Sequence, residues 1–326
     1  MTPNIHSLAS VGFWRAYVTT MRPYLLFVSG AAGMVGLAFA QNPPEVISVL
    51  AFLALFLSYG FGQALTDCFQ MDTDAISSPY RPLVKGLISR KQVLSVSLVG
   101  LLSCGLAMAY VNPLILLFAM VSVLGLVAYT SFKRTWWGGP PCDSLVAALL
   151  PVMGRLIDRG WDPRELVRLG GPSSLAFLLA VLAVFCAYAN FVVIGYFKDI
   201  SADRATGYRT FQVAFGWQPA AIYSDLMALG AAALTGAVLL LTGHVNPWAG
   251  IAFALALFVN AYAQVAIHRI RDEAKAHGPI ANVVRAFMLY CVAMIVSLKA
   301  EWAVLMAAFY LLFELSLWLR PEKTQV

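Results

Sequence analysis

Residues 62–91 read GQALTDCFQMDTDAISSPYRPLVKGLISRK. One apolar run, 45–66, leads into this stretch and another, 92–111, follows it. Asp67, Asp72 and Asp74 therefore stand at the mouth of a helix long enough to cross a membrane. An unpaired charge near hydrocarbon costs about 2.5–3.5 kcal/mol even on lenient insertion scales. The placement needs a compensating group, and a bound divalent cation would supply it.

A second acidic stretch lies far down the chain. Residues 195–207 read GYFKDISADRATG and close another apolar run. Asp199 and Asp203 are four residues apart. On a helix that spacing returns to within about 40° of its start, so both carboxylates face one way. In the first stretch Asp67, Gln70 and Asp74 have the i, i+3, i+7 spacing of a shared helical face. Asp72 is turned about 140° from Asp67 if the helix persists that far. Two acidic helix ends suit hard cations that prefer oxygen ligands, and Mg²⁺ held this way completes its shell with phosphate oxygens.

Composition sets the class. The chain has 326 residues, of which 60% are apolar and only 12% charged, about half the usual charged share. Mean hydropathy is +0.77. Apolar runs of about 20 residues recur, each able to cross about 30 Å of hydrocarbon. The fold class is all-α polytopic membrane protein. The net charge of +6 falls in short loops rather than on one soluble face, which excludes a nucleic-acid partner. The five cysteines, at 68, 104, 142, 186 and 291, show no metal-ligand spacing and read as small buried hydrophobes.

The expected spans are 23–41, 45–66, 92–111, 113–131, 143–157, 173–197, 219–242, 247–267, 281–298 and 302–319. The count is nine or ten, because the fifth is short and the last two are divided only by Lys299–Glu301. Charge orients them. With Arg15 and Arg22 inside, the inside loops also carry Arg81, Lys85, Arg90 and Lys91, then Lys133 and Arg134, then Lys198, Arg204 and Arg209. Both termini and both acidic stretches then face the cytoplasm. Segment 158–172 breaks the pattern with three arginines and reads as an amphipathic piece in the interface.

The two stretches have a familiar form. Thr66-Asp67-Cys68-Phe69-Gln70-Met71-Asp72-Thr73-Asp74, continued through Pro79-Tyr80-Arg81-Pro82, resembles the first aspartate-rich motif of the UbiA superfamily of intramembrane prenyltransferases. The likeness is to its chlorophyll synthase and 4-hydroxybenzoate polyprenyltransferase branches. Asp199 to Asp203 is similar to the second motif, DxxxD. Arg22-Pro23 and the segment Tyr129 to Lys133 resemble further landmarks, in the expected order. Two positions depart from the usual NDxxDxxxD: Thr66 stands for Asn and Gln70 for the middle Asp, so the first metal site loses a charge.

The resemblance implies a single domain over residues 1–326, a helical bundle around a central cavity open toward the membrane. It implies that a prenyl group moves from an isoprenyl diphosphate to a hydrophobic or aromatic acceptor among the membrane lipids. Asp67, Asp74, Asp199 and Asp203 would hold two Mg²⁺ ions, with Gln70 and Asp72 as further candidates. Arg22, Arg81, Lys133, Lys198 and Gln70 would meet the diphosphate. Mg²⁺ with Arg and Lys stabilises a departing diphosphate, and an apolar cavity shields the carbocation from water. Tyr188, Phe191, Tyr196 and Phe197 are candidate cation–π faces near the second motif, and Asn190 either lines the cavity or pairs with another helix. A terpene cyclase is the alternative within this fold. A lipid-binding or transport protein is the alternative outside enzymes, although a transporter would place its ionisable groups near the bilayer midplane.

Overall fold

The computed structural model describes residues 5–41, 43–158, 164, 172–243 and 246–322, and every regular element among them is helical. The long helices are α1 (Val11–Met21), α2 (Leu26–Phe39), α3 (Glu45–Asp67), α5 (Arg90–Ala109), α6 (Leu114–Lys133) and α7 (Gly139–Arg155). They continue with α8 (Pro172–Gly195), α11 (Trp217–Thr242), α12 (Pro247–Arg269), α13 (His277–Leu298) and α14 (Ala303–Trp318). Three short helices, α4 (Met71–Ser77), α9 (Ile200–Ala205) and α10 (Phe211–Phe215), lie in the connections.

Among the described residues eight helices are long and apolar enough to cross a membrane. The first two helices form a ninth candidate, bent by 45° at Arg22. With the 17-residue α7, each of the ten expected spans corresponds to a helix, and the chain is a multi-pass membrane protein. Most of segment 158–172, expected at the interface, lies outside the described residues.

Burial sorts the helices into inner and outer ones. α2 buries 13 of its 14 residues and α13 buries 17 of 22, so these two form the centre. α14 buries only Met306, Phe309, Phe313 and Leu317, a stripe one face wide. Its other faces expose leucines, as those of α5, α6, α11 and α12 do, and such surface belongs against lipid. Small residues bring backbones together at the centre. A Cβ at Gly36 would fall inside contact distance of the Pro151 carbonyl, and one at Gly154 would strike that of Gly33. Without hydrophobic drive between helices in lipid, such close approach lets van der Waals packing hold the helices together.

The bundle has two distinct ends. At one, Gln41 N donates to Asp158 Oδ2 (3.0 Å) and Asn112 Nδ2 to the Leu156 carbonyl (2.9 Å). At the other, the loops rich in Lys and Arg converge: Arg209 N donates to the Arg134 carbonyl (3.2 Å), and His6 N to that of Leu87 (3.0 Å).

Two pairs of charges within the spans meet each other. Arg285 meets Glu314 at 2.8 Å and Asp225 meets His268 at 2.7 Å. Asn190 takes the second of its two expected roles. It joins Asn260, Ser224 and Gln264 in a hydrogen-bonded cluster linking α8, α11 and α12.

Candidate active site

The first acidic stretch does not stay on one helical face. α3 ends at Asp67, Cys68 N and Phe69 N turn back to the carbonyls of Leu65 and Thr66, and α4 begins at Met71. Even so, Asp67, Gln70 and Asp74 all border one cavity. The break brings them together: α4 folds back, and Asp74 shares Arg81 with Asp67.

Asp67 is clamped. Arg22 Nη2 donates to both its oxygens, at 3.0 and 3.1 Å, and Gln63 Nε2 donates to Oδ1 at 3.0 Å. Arg22 reaches it from a left-handed backbone (φ +52°, ψ +74°), which no other non-glycine among the described residues adopts. That conformation costs about 1–2 kcal/mol, and it sits where α1 bends into α2. Asp74 is almost fully buried. Burial pushes its carboxyl up to about 6, against the opposing pull of Arg81, whose guanidinium is held firmly protonated by Asp74 and Asp67.

Asp72 lies apart. It pairs with Arg134 at 3.0 Å, both side chains nearly half exposed, and it does not border the cavity. α4 presents Asp74 inward, and two residues earlier its face is turned to solvent.

The second stretch opens with one tight turn, Tyr196–Lys198, and continues as α9. Asp203 N donates to the Asp199 carbonyl at 2.7 Å, so the two acids do lie one turn apart. Asp203 is fully buried, 3.1 Å from Lys133 Nζ at the end of α6. Among the described residues no hydrogen bond of good geometry reaches either of its oxygens. Burial raises its carboxyl to about 6 against the Lys133 charge. The Lys133 ammonium also lies over the rings of Tyr196 and Tyr208, 5.1 and 5.2 Å from their centres. Asp199, Lys198, Lys133, Arg22 and Arg81 all border the same cavity.

The two stretches meet directly. Thr73 Oγ1 and Thr206 Oγ1 are 3.0 Å apart, and Tyr208 Oη donates to Asp72 at 3.4 Å. From a third loop, the Glu273 carboxylate accepts from Ser201 N at 3.0 and 3.2 Å and so caps α9. Among the described residues no three acidic, His or Cys side chains form a ready-made metal cluster. Asp203 is the acid whose oxygens accept no hydrogen bond of good geometry among those residues, and carboxylates of this kind suit Mg²⁺ shared with phosphate.

Beyond the charged end the cavity turns apolar. Its walls are one helix thick along α5 and α6, with Leu101, Met108, Ile115 and Leu126 inside and Leu102, Leu106, Leu117 and Leu124 outside. Tyr188, Phe191 and Tyr196 line it. Phe197 does not, because its ring packs on Trp217 with 4.5 Å between centres.

The sequence reading gave no role at the cavity to three side chains, of which only Tyr129 was named, as part of a landmark. Asp143, Tyr59 and Tyr129 border the cavity, and the Tyr129 and Tyr196 hydroxyls are 2.9 Å apart. Asp143 carried a signal, since it is an acid in the first turn of an expected span. Glu273 carried none, because only the fold brings its loop to α9.

The model of the UbiA prenyltransferase family matches residues 26–283. The chain belongs to the UbiA prenyltransferase family. It is therefore a prenyltransferase, one that moves a prenyl group from an isoprenyl diphosphate to an acceptor. A digeranylgeranylglyceryl phosphate synthase of Thermococcus kodakarensis is 29% identical over 222 residues, 66% of this chain and 74% of that protein. That relative is of another branch than the two suggested by the first motif. Two solved structures share the UbiA fold. The apo UbiA homologue of Aeropyrum pernix K1 superposes with a TM-score of 0.68 at 21% identity, covering 87% of this chain and 98% of that one. The Archaeoglobus fulgidus homologue bound to GPP and Mg²⁺ gives 0.62 at 18% identity, covering 86% and 99%.

Proposed function

We propose that this prenyltransferase uses Mg²⁺ to transfer a prenyl group to a hydrophobic or aromatic acceptor at the charged end of the cavity, and that this end faces the cytoplasm. One observation carries the reading: two acidic stretches more than 100 residues apart in sequence and four cations border the polar end of an otherwise apolar cavity. The basic loops gathered at that end support the orientation.

Asp67 and Asp74 would hold one ion and Asp199 and Asp203 another, with Gln70 offering a neutral oxygen beside the first. When bound, Mg²⁺ supplies Lewis-acid stabilisation of the negative charge that develops on the diphosphate. The chain's own residues do the rest. Arg22, Arg81, Lys133 and Lys198 donate hydrogen bonds to the departing diphosphate as its bond to the prenyl carbon breaks, and they hold it in place. Tyr188, Phe191 and Tyr196 present ring faces to the positive carbon. The leucine-lined walls keep water from quenching it before the acceptor attacks.

The test is turnover of labelled GPP by purified protein in detergent, with a lipid extract of its own host cells as acceptor source. The expected result is prenylated lipid and diphosphate with Mg²⁺, none with EDTA, and none from Asp67→Ala or Asp203→Ala. Full activity in either variant removes the assigned roles. A cyclised hydrocarbon formed without acceptor would point to a cyclase instead.

A further inference from the structure

The transfer reaction leaves one proton without a destination. When the prenyl carbon bonds to a hydroxyl oxygen or an aromatic carbon, the acceptor's O–H or C–H bond breaks and its electron pair stays with the acceptor. The diphosphate leaves with the electrons of its own C–O bond. At the charged end it would lie among Arg22, Arg81, Lys133 and Lys198, which makes it a poor base. The tyrosines that line the cavity are neutral hydroxyls and poorer bases still.

One carboxylate stands elsewhere. Four acids border the cavity among the described residues: Asp67, Asp74, Asp199 and Asp143. The first three belong to the two motifs. Asp143 comes from α7, a helix that carries neither motif. The start of α7 packs against the leaving-group end, since a Cβ at Gly139 would strike the Tyr196 hydroxyl and lie 3.3 Å from Lys133 Cα. Asp143 follows Gly139 by one helical turn, about 6 Å along the axis. That turn sets it one step from the cationic end toward the apolar walls.

Its surroundings are those of a base rather than of a structural ion. Among the described residues it has no ion-pair partner, whereas Asp67, Asp72, Asp74 and Asp203 all have one. The Tyr188 hydroxyl is the polar group beside its carboxylate, and it donates to Tyr59 Oη at 3.3 Å. An acid kept among apolar walls without a cation is costly, and function is its default explanation.

We propose that Asp143 is the catalytic base that accepts the acceptor's proton as the prenyl group is transferred, with Tyr188 as the positioning residue that orients it. The acceptor is then a compound with a proton to lose, a hydroxyl or an aromatic ring. A carboxylate acceptor has none to give, and Asp143 would repel it. This assignment rests on the transfer reading above.

The test uses the full-length protein with labelled GPP, Mg²⁺ and the same lipid extract. Asp143→Asn is expected to lower kcat for transfer by about 10²–10⁴-fold while leaving KM for GPP and the thermal midpoint near wild type. Tyr188→Phe, which keeps the ring, is expected to lose less than Asp143→Asn, and Asp143→Glu to recover part of the rate. Should Asn cost stability, Asp143→Ser gives the same comparison. Transfer by Asp143→Asn within threefold of wild type overturns the proposal, as does a rise in KM that accounts for the whole loss. Failure of the underlying reading looks different: wild-type protein would release no diphosphate from GPP and Mg²⁺, and both proposals would fall together.

Discussion

Replacing Lys133 with Met removes one buried charge and nearly keeps the volume. Lys133 Nζ lies 3.1 Å from Asp203 Oδ1, and both side chains are almost wholly buried. At an effective dielectric of about 20 such charges attract by about 5 kcal/mol, although desolvation of both offsets much of that. Deleting one partner leaves the other buried alone, which costs about 3–5 kcal/mol if it stays ionised. Asp203 has a cheaper escape. Burial already pushes its carboxyl up to about 6, so taking up a proton at pH 7 costs on the order of 1 kcal/mol, and each further pH unit adds as much. The sign follows from linkage. Without Lys133 the folded state holds a proton on Asp203 that the unfolded state has released, so stability falls as pH rises until the folded-state pKa is reached. The assay is thermal unfolding in detergent with EDTA, where about 2–4 °C corresponds to 1 kcal/mol. Lys133→Met should match wild type at pH 6, fall about 2–4 °C below it at pH 7, and fall further at pH 8. Adding Asp203→Asn should abolish that pH dependence. A loss equal at pH 6 and pH 8 would refute the reasoning.

Other expectations test packing and the supports of the site. Gly36→Ala would press a methyl against the Pro151 carbonyl, a backbone atom that cannot swing aside. The crossing of α2 and α7 should open at a cost of about 1–3 kcal/mol, read as a fall in thermal midpoint. Glu273→Ala removes the cap on α9 at Ser201, worth about 1 kcal/mol. Because α9 carries Asp203, the Mg²⁺ concentration for half-maximal turnover should rise several-fold, and an unchanged requirement would show that the cap does not hold the motif. Arg134→Ala breaks the half-exposed pair with Asp72, worth less than about 1 kcal/mol. Turnover should stay within twofold, and a large loss would return Asp72 to the site.

The sequence was most legible where one physical constraint dominates. Hydrocarbon demands about 20 apolar residues per crossing, so ten runs could be located from composition, and the basic loops then put both acidic stretches at one end. The fold depends on residues that composition does not distinguish. Gly36 and Gly154 look like any other small residues until their helices cross. The i, i+3, i+7 spacing of Asp67, Gln70 and Asp74 suggested a continuous helix, but the chain turns at Cys68 and brings the same residues together by folding back. Phe197 has the composition of a cavity wall and is instead taken up by Trp217, a contact set by α11 rather than by local sequence. Asp143 was legible in principle. It is a single acid at the start of an apolar run, and no repeated acidic pattern marks it.

The arrangement of charge explains how such a site can exist before substrate arrives. Asp67, Asp74 and Asp203 each already face a guanidinium or an ammonium, and Lys198 adjoins Asp199 in sequence. Four acids thus stand against four cations. In the proposed reaction, metal and diphosphate arrive together with charges that largely cancel, so binding becomes an exchange of partners: the acids pass from Arg and Lys to the metal, and the freed cations pass to phosphate. An acid at position 70 would tip this balance toward excess negative charge in a buried site, where an uncompensated ion is most costly. Gln70 keeps an oxygen at that position without the charge. The departure from the usual first motif is consistent with a site that is electrically satisfied at rest, and the Arg22 backbone, held in a costly conformation to reach Asp67, is a measure of how strongly the fold maintains that balance.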